Sequence, residues 1–263
     1  RMNHPLSPTA PPPAAPAPPA EAPAFRPLYQ QIRSLILQSL QQGEWKPAEA
    51  IPSEMELAAR YGVSQGTVRK AIDELAAEHL LVRRQGRGTF VATHAERQVQ
   101  YRFLRLVPDE SQVTPSSQPA QRDIVECKRT RASADVAQAL ALTTGKSVLQ
   151  ARRLLSFDGV PTILEDLWLP GEPFKGLTSR RLSSYHGSMY AFFEAEFGVR
   201  MVRADEKIRA VLPDELQSRL LQVPPNTPLL SVERIAYTYG DQPMELRRGL
   251  YRTDTRHYHN RLS

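Results

Sequence analysis

PSEMELAARYGVSQGTVRKAIDELAAEHLLVRRQGRGTFV, residues 52–91, decides the fold of the first part of this chain. Ser53 followed three residues later by Glu56 has the spacing of a capping box, in which hydroxyl and carboxylate satisfy orphan amides at a helix start. Tyr61-Gly62-Val63 ends that helix, and Ser64 caps a second one whose Val68, Ala71, Ile72 and Leu75 share an apolar face. Gln65 and Arg69 lie four residues apart on the outward face, with Gly66 and Lys70 nearby. Residues 80–84 and 88–91 then read as two short strands around Gln85-Gly86-Arg87. Two short helices, the second polar and Arg-bearing, followed at once by a basic hairpin, predict a winged helix-turn-helix suited to the DNA major groove.

Upstream, Pro27 suits the first turn of a helix carried by Leu28, Ile32, Leu35, Ile36 and Leu40, with Gly43 as its stop. Residues 45–52 read as an extended connector. Residues 1–24 hold nine prolines and many alanines, too little bulky apolar surface to offset chain entropy, and predict a disordered or polyproline-like tail. The expected organisation is a tail over 1–24, a winged domain over 25–92, a linker over 93–98 and a second domain over 99–259.

In that second domain the periodicity changes. Residues 101–107, 124–131, 148–157, 162–169, 201–212, 228–239 and 244–251 read as strands. Helices are expected over 133–142, 188–197 and 213–221. Asp158-Gly159 and Gly240-Asp241 are turn signals that make their flanking strands hairpins. Strands joined by hairpins and outnumbering helices predict an α+β domain with a mainly antiparallel sheet. The polar stretch 108–119 is long enough to suggest a mobile loop or lid.

Composition narrows the function classes. The chain has 263 residues, with 34 basic against 28 acidic, a net charge of +6 that mildly favours a polyanionic partner. Residues 25–92 hold nine basic and seven acidic residues, so clustering matters more than the sum. Arg69, Lys70, Arg83, Arg84 and Arg87 gather on the second helix of the motif and on the hairpin. The single cysteine, Cys127, excludes an internal disulfide framework and fits a reducing compartment, as a packed or half-exposed thiol. No apolar run approaches the ~20 residues of a membrane span, so a cytoplasmic protein is expected. Gly86-x-Gly88 lacks the strand and helix context of a nucleotide loop. His257-x-His259 could bind a metal, but two histidines near the end of the sequence are weak evidence for a metal site. No catalytic residue, metal ligand or cofactor is expected.

The segments PLYQQIRSLIL and 52–91 together resemble the GntR superfamily of bacterial transcription regulators. DGVPTILEDLWLP, GSMYAFFEAEFGV and PMELRRGLYRTD resemble the UTRA effector domain of its HutC subfamily, over roughly 100–258. The resemblance implies a winged helix-turn-helix followed by a chorismate-lyase-like α+β domain, in agreement with the strand pattern. It also implies DNA contacts from Ser64, Gln65, Gly66, Thr67 and Arg69 and from the wing residues Gln85, Gly86 and Arg87. Arg69 is suited to guanine O6/N7 and Gln65 to adenine N6/N7. Many relatives carry Arg where this chain has Met55 and Gln65, which points to an altered operator.

For the effector domain, the resemblance implies ligand contacts from Arg153, Glu165, Ser188, Glu245 and Tyr251. Arg153 and Glu165 would face one another across the Asp158-Gly159 hairpin, either lining a cavity or forming a cross-strand ion pair. Ser188 would open a helix, where amides and dipole favour an anion, or merely cap it. Phosphosugar binders often have a second Arg where this chain has Leu155, which moves the expectation from phosphate toward a carboxylate or another small polar metabolite. Tyr190, Phe192, Phe193 and Phe197 read as core or interface.

The resulting expectation is a ligand-responsive repressor. It would bind a palindromic double-stranded operator as a homodimer and be modulated by a carboxylate, a sugar phosphate or a similar metabolite through the 93–98 linker. The rival readings are an enzyme on a lyase-like fold and a ligand-independent DNA-binding protein.

Overall fold

The computed structural model describes residues 26–93, 106–109, 120–185 and 187–259. The first domain is built from helix α1 (Leu28–Gln41), helix α2 (Glu54–Tyr61), helix α3 (Gln65–Ala77), and strands β1 (Leu81–Arg84) and β2 (Gly88–Val91). The local signals act as their chemistry requires. Ser53 and Glu56 form the reciprocal capping box, and Gly62 ends α2 in the left-handed region at φ 65°. Ser64 accepts from the Thr67 amide at 3.2 Å to start α3. Pro27 is the residue before α1 rather than its first turn.

Ile36, Leu57, Val68, Ala71, Ile72 and Leu75 are fully buried and fuse the three helices with the base of the wing. The connector joins the hairpin as a third ribbon. Val91 donates to the Glu49 carbonyl and Ile51 to that of Thr89, each at 2.9 Å. At the wing tip Gly86 has φ +70°, a conformation that a residue with a Cβ rarely adopts.

The second domain begins, among the described residues, with β3 (Leu106–Pro108) and continues through β4 (Gln121–Arg131), α4 (Ala134–Ala139), β5 (Ser147–Phe157) and β6 (Val160–Pro170). Next come α5 (Ser179–Ser184), α6 (Met189–Phe197), β7 (Arg203–Val211) and α7 (Glu215–Leu221). The chain closes with β8 (Leu229–Tyr237), a 3-10 turn (Tyr239–Asp241), β9 (Pro243–Tyr251) and β10 (Arg256–Tyr258). Six strands form one antiparallel sheet in the order β4-β5-β6-β9-β8-β7, and β3 pairs with β10 in a separate ribbon. The α+β architecture is therefore the one the sequence pattern predicts.

The differences from expectation are local. The helix expected over 133–142 stops at Ala139. The one expected from 213 starts one residue after Asp214, which shares a capping box with Gln217. Helix α5 and strand β10 were not anticipated: each is short, and α5 buries only Leu182. Residues 94–105 and 110–119, with the expected linker, the start of the first expected strand and most of the polar loop, lie outside the described residues, as does the expected 1–24 tail.

Helices α5 and α6 cover one sheet face, packing Phe174, Leu182, Tyr190 and Phe193 on Leu149, Ala151, Leu167 and Leu169. Helices α4 and α7 cover parts of the other. Cys127 packs partly buried against the first of these clusters, and burial raises its thiol pKa.

Candidate functional site: a DNA-facing helix and a charged sheet face

Gln65, Gly66, Arg69, Lys70, Gln85, Gly86 and Arg87 are all exposed, and Thr67 is half-buried beneath Ser64, whose Oγ lies 2.8 Å from Thr67 Oγ1. The structure thus brings every sequence-predicted residue of the helix and wing to the surface of one domain. It also shows a residue that the sequence reading did not single out. Glu54, at the first turn of α2, accepts from Arg69 Nε at 2.9 Å, from Arg83 of the wing at 2.8 Å and from Gln65 at 3.4 Å. Burial pushes the Glu54 carboxyl up, but the hydrogen bonds from Arg83 and Arg69 outweigh it and leave its pKa below the usual value.

One carboxylate therefore ties the recognition helix to the wing. Its bond to Arg69 uses Nε, whereas a bidentate guanine contact uses the two terminal nitrogens, so Glu54 can aim Arg69 without competing with a base. Lys70 is placed differently, 3.9 Å above the ring of Tyr29 on α1. For Glu54→Ala, discrimination between a selected duplex and a scrambled one should fall by about 1.4 kcal/mol, or tenfold. Affinity for the scrambled duplex should rise, because a negative charge near the phosphates is gone. Anisotropy titrations with both duplexes at matched salt check this.

In the second domain, strand register assembles a belt of buried charge. One row across the sheet runs Arg153, Glu165, Gly249 and Val232; the next runs Ala151, Leu167, Arg247, Arg234 and Glu206. Side chains two apart share a face, so all of these point toward the same side. Arg153 and Glu165 are ion-paired, both at most 5% exposed, and Arg153 also donates to the Tyr185 hydroxyl at 2.8 Å. Arg247 donates to Glu245 through Nε at 2.9 Å and through a terminal nitrogen at 3.0 Å, and reaches Glu165 at 3.3 Å. Tyr190 on α6 donates to Glu245 at 2.8 Å, and Arg234 donates to Glu206 at 2.7 Å.

Burial raises the Glu165 carboxyl, but Arg153 and Arg247 outweigh that effect and hold its pKa below the ordinary range. Burial, together with the nearby Glu165 charge, pushes the Tyr251 hydroxyl up to about 12. Gly249 sits opposite Glu165, and a Cβ there would lie 2.5 Å from the Tyr251 ring, so the missing side chain is what lets that ring cross the belt.

Arg153, Glu165, Glu245 and Tyr251 thus gather on one face. Ser188 lies at its edge as the N-cap of α6, half-buried and without a side-chain capping bond. Arg122 of β4 donates to the neighbouring Gly187 carbonyl at 2.8 Å and stacks over Tyr185. The ion pair between Arg153 and Glu165 is the structural alternative named above, and it is present. Where Leu155 leaves one guanidinium missing, the same sheet face carries Arg247 and Arg234, on strands remote from it in sequence. His257, by contrast, pairs with Asp109 at 2.8 Å, and its ring meets that of His259 edge-on.

A winged DNA-reading domain joined to an antiparallel sheet with a charged face defines a transcription regulator, not an enzyme. The chain belongs to the gntR family of bacterial regulatory proteins, whose profile matches residues 28–91, and the UTRA domain profile matches residues 118–257. It is similar to the mannosyl-D-glycerate transport/metabolism system repressor MngR of Escherichia coli, 28% identical over 87% of this chain and 93% of that protein. The histidine utilization repressor of Pseudomonas putida is 29% identical over 90% of this chain and 92% of its own length. Among solved structures, the ligand-binding domain of a regulator assigned to the GntR family from Bordetella bronchiseptica is 53% identical, with a TM-score of 0.59. It covers 63% of this chain and 100% of that one. No helix of the described residues is long and apolar enough to cross a membrane.

Proposed function

We propose that the protein is a homodimeric repressor that binds a palindromic operator and releases it when a small polar metabolite bearing an acidic group occupies the charged sheet face. The observation that carries this reading is the buried belt itself. Desolvating charges is costly, and a core could be filled more simply with apolar side chains, so a cluster of this kind marks a functional site. Arg153, Glu165, Glu245 and Tyr251 would contact the ligand, with Ser188 and the α6 N-terminus at the entrance. Arg247 would exchange one of its carboxylate partners for the ligand's acid, and Glu165 or Glu245 would accept hydroxyl or amino protons.

The relatives' names favour a carboxylate among the possible acids, since glycerate and histidine both carry one. Ser64, Gln65, Gly66, Thr67 and Arg69 would contact the major groove and its flanking phosphates, with Gln85, Gly86 and Arg87 on the neighbouring backbone or minor groove. A dimer would place two such helices on half-sites one helical turn apart.

The test is a thermal-shift screen with carboxylates, amino acids, histidine-pathway intermediates and phosphosugars, followed by anisotropy on DNA selected by the protein from a random duplex library. An effector at one hundred times its Kd stabilises the fold by about 2.7 kcal/mol, and it should weaken the selected duplex by about 5- to 150-fold. Arg153→Ala should remove both responses. Salt-sensitive binding with no sequence preference, or selected-duplex affinity unmoved by every compound, would overturn the proposal.

A further inference from the structure

Between the two domains lies a contact that neither DNA reading nor ligand binding requires. Arg200, only 3% exposed, reaches out of the effector domain and donates to the His79 carbonyl at 3.0 Å and the Leu80 carbonyl at 3.3 Å. Those two residues follow the C-cap of α3, and His79 takes a left-handed φ of 59° as the chain turns from recognition helix to wing. Both carbonyls lie just past the helix C-terminus, where the dipole favours a cation, and that of Leu80 also accepts from the Ala92 amide at 3.1 Å, so the guanidinium adds a charged partner to the junction. The same guanidinium binds the Tyr239 hydroxyl at 3.0 Å and pairs with Glu194 at 3.5 Å. Val202 and Tyr239 pack against the core of the winged domain beside it. A cavity of about 620 Å³ opens next to this contact, lined by Leu40, Trp45 and Lys46 on one side and Val199, Arg200 and Met244 on the other.

Helix α6 joins this contact to the charged face. Tyr190, which donates to Glu245, and Glu194, which is ion-paired with Arg200, lie four residues apart and therefore on the same side of the helix one turn from each other. Phe193 between them is fully buried, its ring centroid 4.8 Å from that of Phe174, and anchors this turn of the helix in the core. The chain then turns at Gly198 and presents Arg200 to α3 within three residues of the helix end.

We propose that Arg200 is an interdomain latch on the recognition helix and that α6 carries the state of the charged face to it. A shift of α6 caused by a new partner for Glu245 would move Glu194, loosen Arg200 and free the end of α3. Helix shifts of an ångström or two are an ordinary way to repack an interface. The inference rests on the ligand-responsive reading above, but its primary test needs neither ligand nor operator.

Trp45 and Trp168 are the only two tryptophans of the chain, and Trp45, 8% exposed, lines the interdomain cavity. In a full-length Trp168→Phe background, Trp45 emission reports the contact alone. Arg200→Met should red-shift that emission and expose the ring to acrylamide, while circular dichroism keeps the native helix and strand content. Arg200→Lys, with one ammonium in place of a fork, should give a smaller shift; it also serves as the test if the Met variant does not fold. Tyr190→Phe should shift the emission in the same direction, and combining it with Arg200→Met should add nothing further, the non-additivity expected of residues in one chain of contacts.

Unchanged Trp45 emission and quenching in folded Arg200→Met or Arg200→Lys would overturn the latch. A Tyr190→Phe effect that is absent, or that adds in full to Arg200→Met, would overturn the α6 route. Failure of the metabolite screen would leave these readouts standing, so the two proposals fail separately.

Discussion

Glu165→Ala should lower the unfolding free energy by about 3–5 kcal/mol, the cost of removing one partner from a buried charge pair. The size follows from what the carboxylate serves. Glu165 is 2% exposed, pairs with Arg153 and also reaches Arg247, so its loss leaves two guanidinium groups facing the same vacancy. Replacing the pair together, as Arg153→Met with Glu165→Leu, should cost less than Glu165→Ala alone, although it changes more atoms. The remaining Arg247 keeps its two bonds to Glu245. Urea denaturation of the two variants decides the order; equal losses would mean that water screens the pair.

The same group sets a pH dependence. The Glu165 pKa is depressed in the folded protein from an ordinary 4.5, so the unfolded chain takes up its proton first as pH falls. Its stabilising contribution is full above 4.5 and is lost as pH drops through the folded value. Melting temperature measured against pH should decline below 4.5, and the decline should be shallower in Glu165→Gln.

Arg69→Ala should cost about 1–3 kcal/mol in affinity for a selected operator while barely changing affinity for a scrambled duplex. Arg69 is exposed on α3, with its Nε held by Glu54, which leaves the terminal nitrogens directed by that anchor for a base edge. Among the described residues no carboxylate anchors Arg87 at the wing tip: its amide closes the turn on the Arg84 carbonyl at 2.9 Å, and its side chain is exposed. Arg87→Ala should therefore weaken both duplexes alike and lower the salt slope by about 1. Anisotropy across a salt series separates the two patterns. A uniform loss for Arg69→Ala would reassign that side chain to phosphate.

The winged domain was legible because its determinants are local. Ser53 with Glu56, Gly62, Ser64 and the Gly86 turn each specify a cap or turn within four residues. In the second domain the Asp158-Gly159 turn was local too and joined β5 to β6, but its plain register would set Arg153 opposite Leu164; a register shift between Leu155 and Ser156 brings Glu165 there instead. The rest of the belt was not legible. Arg234 and Arg247 are neighbours within the β8–β9 hairpin that Gly240-Asp241 announces, but they join Glu165 only because β9 lies against β6, and nothing in either strand's own pattern states that order.

Glu54 gives no local signal of its role, since its partners lie 11, 15 and 29 residues away. Arg200 gives none either, because its backbone partners are 120 and 121 residues distant. Helix α5 is silent in the sequence because six residues with a single buried leucine give no period to read.

The left-handed turn at His79 has a practical consequence for anyone exchanging modules between regulators of this build. It presents two main-chain oxygens to Arg200, so the docking point is indifferent to side-chain identity and depends on how the helix ends. Base preference can then be rewritten at Gln65 and Arg69 without touching that junction. A transplanted winged domain whose third helix runs one turn longer would be read by its operator yet deaf to its new partner.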